Sequence, residues 1–322
     1  MIRALANLIP SPEDSRDWVY VNKAFNPAGD ITAHAAGIEN QLGAGACVTH
    51  AVGSAGELIL TRANRSLDLS FQFGYDVGRI WEGRRDQPGM YLRDGLKVAN
   101  QLGIPLESEY AYRNSEITQE PSATIIALAS ARKITRYERI DPADLWNGVR
   151  SATTEGCPVV IAMNLGQKFY NIFGPLELQT YEPVGPYNTL IGAHAMVIEA
   201  YGPDYFDLEN SWGIGHGDRG FVRMKTSCLA DIFEAWVVRG FAGIDPTTQA
   251  AHDWAIAHPE AVRAFAYSKY PGEMQQLVDA LITFGVSAPE FEAIVGFGPG
   301  AVRYYSLNNP AGRLLDWRGM IW

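Results

Sequence analysis

Apolar residues recur along this chain at two different periods. From Gly45 to Leu60 the residues Val48, Ala51, Val52, Ala55, Leu58 and Ile59 fall at helical spacing. They predict a buried central helix with Cys47 at its mouth. Leu69–Trp81 and Leu92–Leu102 read as two further helices, separated by the turn signal Arg84-Arg-Asp-Gln-Pro-Gly89. Pro105 to Tyr112 reads as loop, and Asp144–Thr153 as a helix opening near Asp141 or Asp144. After about residue 156 the texture turns to β. Pro158–Met163, Ala193–Tyr201, Tyr205–Asn210, Phe221–Lys225 and Ala235–Phe241 are apolar, β-branched or aromatic runs of strand length.

A helical first half and a β-rich second half predict an α+β fold of two lobes, with a cleft between them as the natural place for a site. Residues 1–40 are weakly periodic and read as an extended lead-in with short strand pieces. A boundary is expected near residue 245, giving a domain over 1–245 and a mainly helical extension over 246–322. The extension is expected to build a small core from Trp254, Phe265, Leu277, Leu281 and Phe284. Its aromatic end, Trp317, Met320, Ile321 and Trp322, is expected to be buried against the body or a partner subunit.

Composition narrows the function. The net charge is -10 and no basic run is present, which argues against a nucleic-acid partner. No apolar run approaches the length of a membrane helix, so no membrane partner is expected. The N-terminal apolar patch is broken by Asn7 and Pro10 and does not read as a signal peptide. The three cysteines, Cys47, Cys157 and Cys228, cannot make a disulfide framework, and no disulfide is expected. A reducing compartment fits this.

Candidate chemistry gathers at Gln41-Leu-Gly-Ala-Gly-Ala-Cys47. A thiol at the first turn of a helix feels the positive end of the helix dipole, which favours the thiolate nucleophile. Gly43 and Gly45 allow a tight turn and close approach to a ligand. The Gln41 amide could donate to an oxygen held near the sulfur. A buried structural thiol is the alternative reading of this stretch taken alone. Two distant segments join it, Gly192-Ala-His194-Ala-Met and Leu208-Glu-Asn210-Ser-Trp212-Gly. His194 opens one strand and Asn210 closes the next, so a hairpin brings them together. An Asn carbonyl can then accept the imidazole N–H and orient the ring. His50, on the same helix as Cys47, is a rival base. Cys157 and Cys228 read as structural thiols, and His216 as a cleft-rim residue. No two candidate ligands show zinc spacing, and neither a metal nor a cofactor is expected.

These three motifs, in this order, resemble the papain-like cysteine proteases, over about residues 10–243. His194 follows Cys47 by roughly 150 residues, within the range of that family. The resemblance implies a two-lobe fold of a helical and a β-barrel-like lobe, and a cysteine peptidase acting on peptide or protein substrates. Cys47 is then the nucleophile, His194 the base paired with it as an ion pair, and Asn210 the orienter. Gln41 and the Cys47 N–H form the oxyanion hole. Trp212 shields the His–Asn bond, and Gly89, Met90, Gly192, Ala193 and Trp212 line the substrate cleft. Leu92–Tyr112 is similar to the bacterial branch of the family. The chain departs from the pattern at three points. Ala44 stands where many members have a disulfide cysteine, Val48 replaces an aromatic, and His216 replaces a tryptophan. The lead-in before Gln41 is too short for the family's helical prodomain. Two other roles for the same site and fold are a transferase or amide hydrolase, and a structural component of a larger assembly such as a virus particle. The expected location is cytoplasmic or virion-associated.

Overall fold

A computed structural model describes residues 8–85 and 87–241. The boundary expected near residue 245 and the extension over 246–322 lie outside the described residues. Five α-helices and seven strands follow in chain order among the described residues. Strand β1 (Gly29–Asp30) belongs to the extended lead-in. Helices α1 (Cys47–Arg62), α2 (Phe71–Trp81) and α3 (Leu92–Gln101) follow the three helical stripes to within two residues at each end. Helix α1 is buried on every side from Cys47 through Leu58. A helix apolar or small all round is stable only with packing partners on all faces. Helix α2 is capped by Ser70, whose Oγ accepts the Phe73 N–H at 3.3 Å.

Two elements escape the sequence pattern. Helix α4 (Ala123–Ala129) is seven residues long, too short to display a stripe, and is capped by Ser122 Oγ accepting from the Ile125 N–H. Strand β2 (Ile134–Arg139) reads ITRYER and leaves two of its six residues partly exposed and two fully so. It lies at the sheet edge, where only one neighbour demands apolar side chains. Helix α5 (Leu145–Thr154) follows a short 3-10 turn over Pro142–Asp144.

The remaining strands are β3 (Val159–Gly166), β4 (Leu190–Tyr201), β5 (Tyr205–Glu209), β6 (Phe221–Lys225) and β7 (Ile232–Phe241). They form one antiparallel sheet in the order β2-β7-β3-β4-β5-β6, with β1 added to β4. Its central strands are buried on both faces, and alternation sorts their side chains between two cores. Val160, Ala162, Ala193, Ala195, Val197, Trp236 and Val238 face the helical lobe. Val159, Ile161, Met163, Leu165, Met196, Ile198, Ala235 and Val237 face the second core, with Tyr20, Phe169, Tyr181 and Phe206. This is why β3 and β4 read as continuous apolar runs. Helix α1 packs across β4, which brings Cys47 to the strand that carries His194.

Several acid groups are buried or half-buried. Glu199 on β4 is fully buried, and neither of its oxygens has a hydrogen-bond donor. Burial and the neighbouring Glu209 and Asp30 push it well above the carboxylate range. Burial also raises Glu209, Glu57 to about 8 and Glu39 to about 7. Each group binds its proton more tightly folded than unfolded. The folded state is therefore favoured below the ordinary value of 4.5 and loses that advantage as pH rises toward about 8. We expect the melting temperature to fall between about pH 5 and pH 8. Glu199→Gln, which supplies a neutral amide, should raise it at the upper end and leave it unchanged at the lower, as read by calorimetry across that range.

Candidate active site

Cys47 is the first residue of α1 and is fully buried. Burial pushes its thiol up to about 11. The N–H groups of Ala195, Val48 and Cys47 itself face the sulfur and pull the other way, but they do not overcome the loss of water. His194, at 0% exposure on β4, is lowered to about 4 by burial, against the opposing effect of its bond to Asn210. Burial thus works against the charged form of each partner of the ion pair expected from the family resemblance. Cys47, Cys157 and Cys228 are all free thiols.

His194 Nε2 donates to Asn210 Oδ1 at 2.8 Å. The same oxygen accepts the Ser211 N–H at 2.9 Å. His194 Nδ1 is buried and has no hydrogen-bond partner among the described residues. The ring lies 5.1 Å from the Trp212 indole, which also packs on Phe169 and stacks on Tyr170. His216 lies beneath this group and is 6% exposed, so it is a buried residue and not one of the cleft rim. Its Nδ1 meets Asn210 Nδ2 at 3.0 Å and its Nε2 meets the Phe169 carbonyl at 2.8 Å. His50 is a core residue. Its Nδ1 donates to the Ala46 carbonyl at 2.9 Å, its ring packs on Phe71 and Tyr112, and burial lowers it to about 4.

Gln41 is fully buried and tied on three sides. Its Oε1 accepts from the Ser211 hydroxyl at 2.6 Å, its Nε2 donates to the Ala44 carbonyl at 2.9 Å, and its own carbonyl takes the Tyr112 hydroxyl at 2.7 Å. One of the two amide hydrogens remains for a substrate oxygen. The turn before Cys47 is fixed by a loop the sequence did not mark. Gly43 N–H donates to Asn114 Oδ1 at 2.9 Å and Gly45 N–H to Glu116 Oε1 at 2.6 Å. Glu116 is itself held by Tyr75 and the buried Arg79. A side chain at Gly45 would come within 2.8 Å of the Gly89 nitrogen, so glycine is required for this approach.

The expected cleft residues divide. Gly89, in the left-handed region at φ 77°, gives its N–H to Tyr75 at 3.2 Å, so this amide is occupied within the protein. Met90 is fully buried, and its methyl lies where a side chain on Gly78 would go. Gly192 is partly exposed beside Leu165 of β3. The Ala193 carbonyl accepts the Leu8 N–H at 3.2 Å. Leu8 is 6% exposed, in the same core as Ala46, Cys47, Met90 and Ala193. Ile9 continues the contact at Tyr91. The lead-in thus lies against the strand beside His194, and a peptide using the Ala193 carbonyl must displace it. Among the described residues no group of three His, Cys, Asp or Glu could hold a metal.

Covering by Leu8 and a raised thiol have one measurable consequence. Iodoacetamide should alkylate Cys47 slowly at neutral pH, with half-maximal reactivity near 11. Leu8→Glu, which forces a charge out of the core, should speed alkylation at neutral pH and move the midpoint down. Mass spectrometry of the labelled peptide reads both.

The sequence profile described as papain family cysteine protease matches residues 27–233. Papain from Carica papaya is 27% identical over 150 residues, which cover 42% of this chain and 36% of that protein. The matched stretch thus spans about a third of its length. Among solved structures, xylellain, a cysteine protease from Xylella fastidiosa, aligns with a TM-score of 0.66 at 24% identity, over 76% of this chain and 99% of that one. Digestive procathepsin L 3 of Tenebrio molitor larval midgut aligns with a TM-score of 0.54 at 20% identity, over 74% and 76%. At these identities the structures speak for the two-lobe fold. The profile covers more than half of the chain, and on that match the chain belongs to the papain family of cysteine proteases.

Proposed function

We propose that this chain is a cysteine peptidase that cleaves peptide or protein substrates through a thioester on Cys47. The observation that carries the reading is the 2.8 Å bond from His194 Nε2 to Asn210 Oδ1, with Nδ1 left unpaired beside the strand that faces Cys47. In a neutral imidazole one nitrogen donates and the other accepts. Nε2 is committed as the donor, so Nδ1 carries the lone pair and can take a proton.

His194 Nδ1 removes the Cys47 proton as the sulfur attacks the scissile carbonyl. The developing oxyanion is met by the remaining Gln41 amide hydrogen and the Cys47 N–H at the start of α1. Collapse breaks the C–N bond, and the imidazolium returns its proton to the leaving amine. Water, deprotonated by the same nitrogen, then hydrolyses the thioester and frees the thiol. Peptide or protein substrates follow from the family, and the free thiols support a reducing compartment such as cytoplasm as the place of work.

Cys47→Ala should abolish turnover of a fluorogenic peptide panel by several orders of magnitude while leaving the melting temperature unchanged, because nucleophile loss in such a triad removes the chemistry as a unit. Gln41→Ala should lower kcat by about 10²–10³ if it is an oxyanion donor. A thiol-reactive peptidyl probe should label Cys47, and excess substrate should block it. Normal turnover by the Cys47→Ala protein would sink the reading.

A further inference from the structure

His216 is not used by the mechanism above, yet it is the second imidazole of the site. It stands where the family resemblance places a tryptophan, and an indole can only donate a hydrogen bond. The neighbours of His216 leave little freedom in where its proton sits. The Phe169 carbonyl at 2.8 Å from Nε2 is an acceptor, so Nε2 must carry hydrogen. Nδ1 is then a lone pair, and it faces Asn210 Nδ2 at 3.0 Å, the donor end of that amide.

The other end of Asn210 is equally constrained. The Ser211 N–H at 2.9 Å is a donor, so the atom it meets must be the amide oxygen. That oxygen also meets His194 Nε2 at 2.8 Å, so His194 donates from Nε2. A backbone carbonyl at one end and a backbone N–H at the other therefore fix the polarity of the whole run, Phe169, His216, Asn210, His194. Every group in it is buried, so none can exchange its partner for water.

We infer that His216 is a positioning residue for His194: by accepting from Asn210 Nδ2 it holds the amide oxygen toward His194 Nε2, and so leaves the base lone pair on Nδ1. His216 acts through Asn210, and it must be neutral and protonated on Nε2 to do so. Its ring also packs on Phe169, Trp212 and Phe173 at 4.9, 4.9 and 6.1 Å, so packing and acceptor roles have to be separated.

The inference rests on the peptidase reading for its kinetic readout but not for its spectroscopic one. His216→Phe keeps a ring and removes the acceptor, and His216→Gln restores an acceptor without the ring. Nitrogen NMR of the imidazoles in the full chain reads the tautomers directly. Both His194 and His216 should be Nε2–H in the unaltered protein. In His216→Phe the His194 signal should move toward a mixture of tautomers. Peptidase kcat should fall about tenfold with KM unchanged, and His216→Gln should recover most of it. Finding His194 or His216 protonated on Nδ1 in the unaltered protein overturns the inference, even if neither variant folds. So does a His216→Phe protein with unchanged kcat and an unchanged His194 tautomer. Absence of turnover by the unaltered protein on every peptide would instead count against the peptidase reading, and the tautomer measurement would still decide the role of His216.

Discussion

The hydrogen bond from His194 to the Asn210 carboxamide is the contact on which the rest of the site depends. A lone imidazole on a strand can present either nitrogen as donor. Here the choice is removed, because Asn210 Oδ1 can only accept and is already anchored by the Ser211 N–H. The bond also ties β4 to the residue that follows β5. Ser211 continues the tie across the cleft, since its hydroxyl and carbonyl both hold Gln41. The amide proposed to receive the oxyanion and the amide that orients the base thus share one anchor. Displacing Ser211 would disturb both at once.

The nucleophile is fixed by a different means. In the family pattern a disulfide often pins the turn before the cysteine, and Ala44 removes it here. Glu116 reaches the Gly45 N–H and is balanced by Arg79, which is fully buried with Tyr75 against it. A charged pair is a costly way to brace a turn, because Arg79 has been taken out of water and needs its partners. It braces the turn all the same, and Gly89 is joined to the same group through Tyr75. The turn and the neighbouring Gly89 segment of the same lobe are therefore held by one polar network in place of a covalent bond.

How much of this was legible in the sequence follows from the range of each interaction. The stripes of α1, α2 and α3, and the two-sided apolar strands β3 and β4, are local patterns, and they were readable. Seven residues of α4 hold too few turns to make a stripe, and edge strand β2 gives no clean alternation, with Ile134 and Glu138 buried and Thr135 and Arg136 exposed. Cys47, His194 and Asn210 were readable because each sits in a run of characteristic composition. The covering of the cleft by Leu8, the brace from Glu116 and the burial of His216 were not. Each is a contact between residues far apart, made by side chains that carry no spacing signal of their own. The departure at His216 was visible as a missing tryptophan, but its role depends on where the Phe169 carbonyl points.

Burial works against charge on both partners of the site, raising the thiol and lowering the imidazole. The N–H groups at the start of α1 and of Ala195 pull the thiol the other way. Leu8, whose N–H donates to the Ala193 carbonyl, lies in the same core as Cys47 and adds to the apolar surroundings that oppose a thiolate. Polar groups of a bound peptide, or water, in the place of Leu8 would ease that opposition. The segment that lies against β4 and the reactivity of the thiol are thus linked through solvent, while the orientation of the base rests on Asn210 and does not change with it.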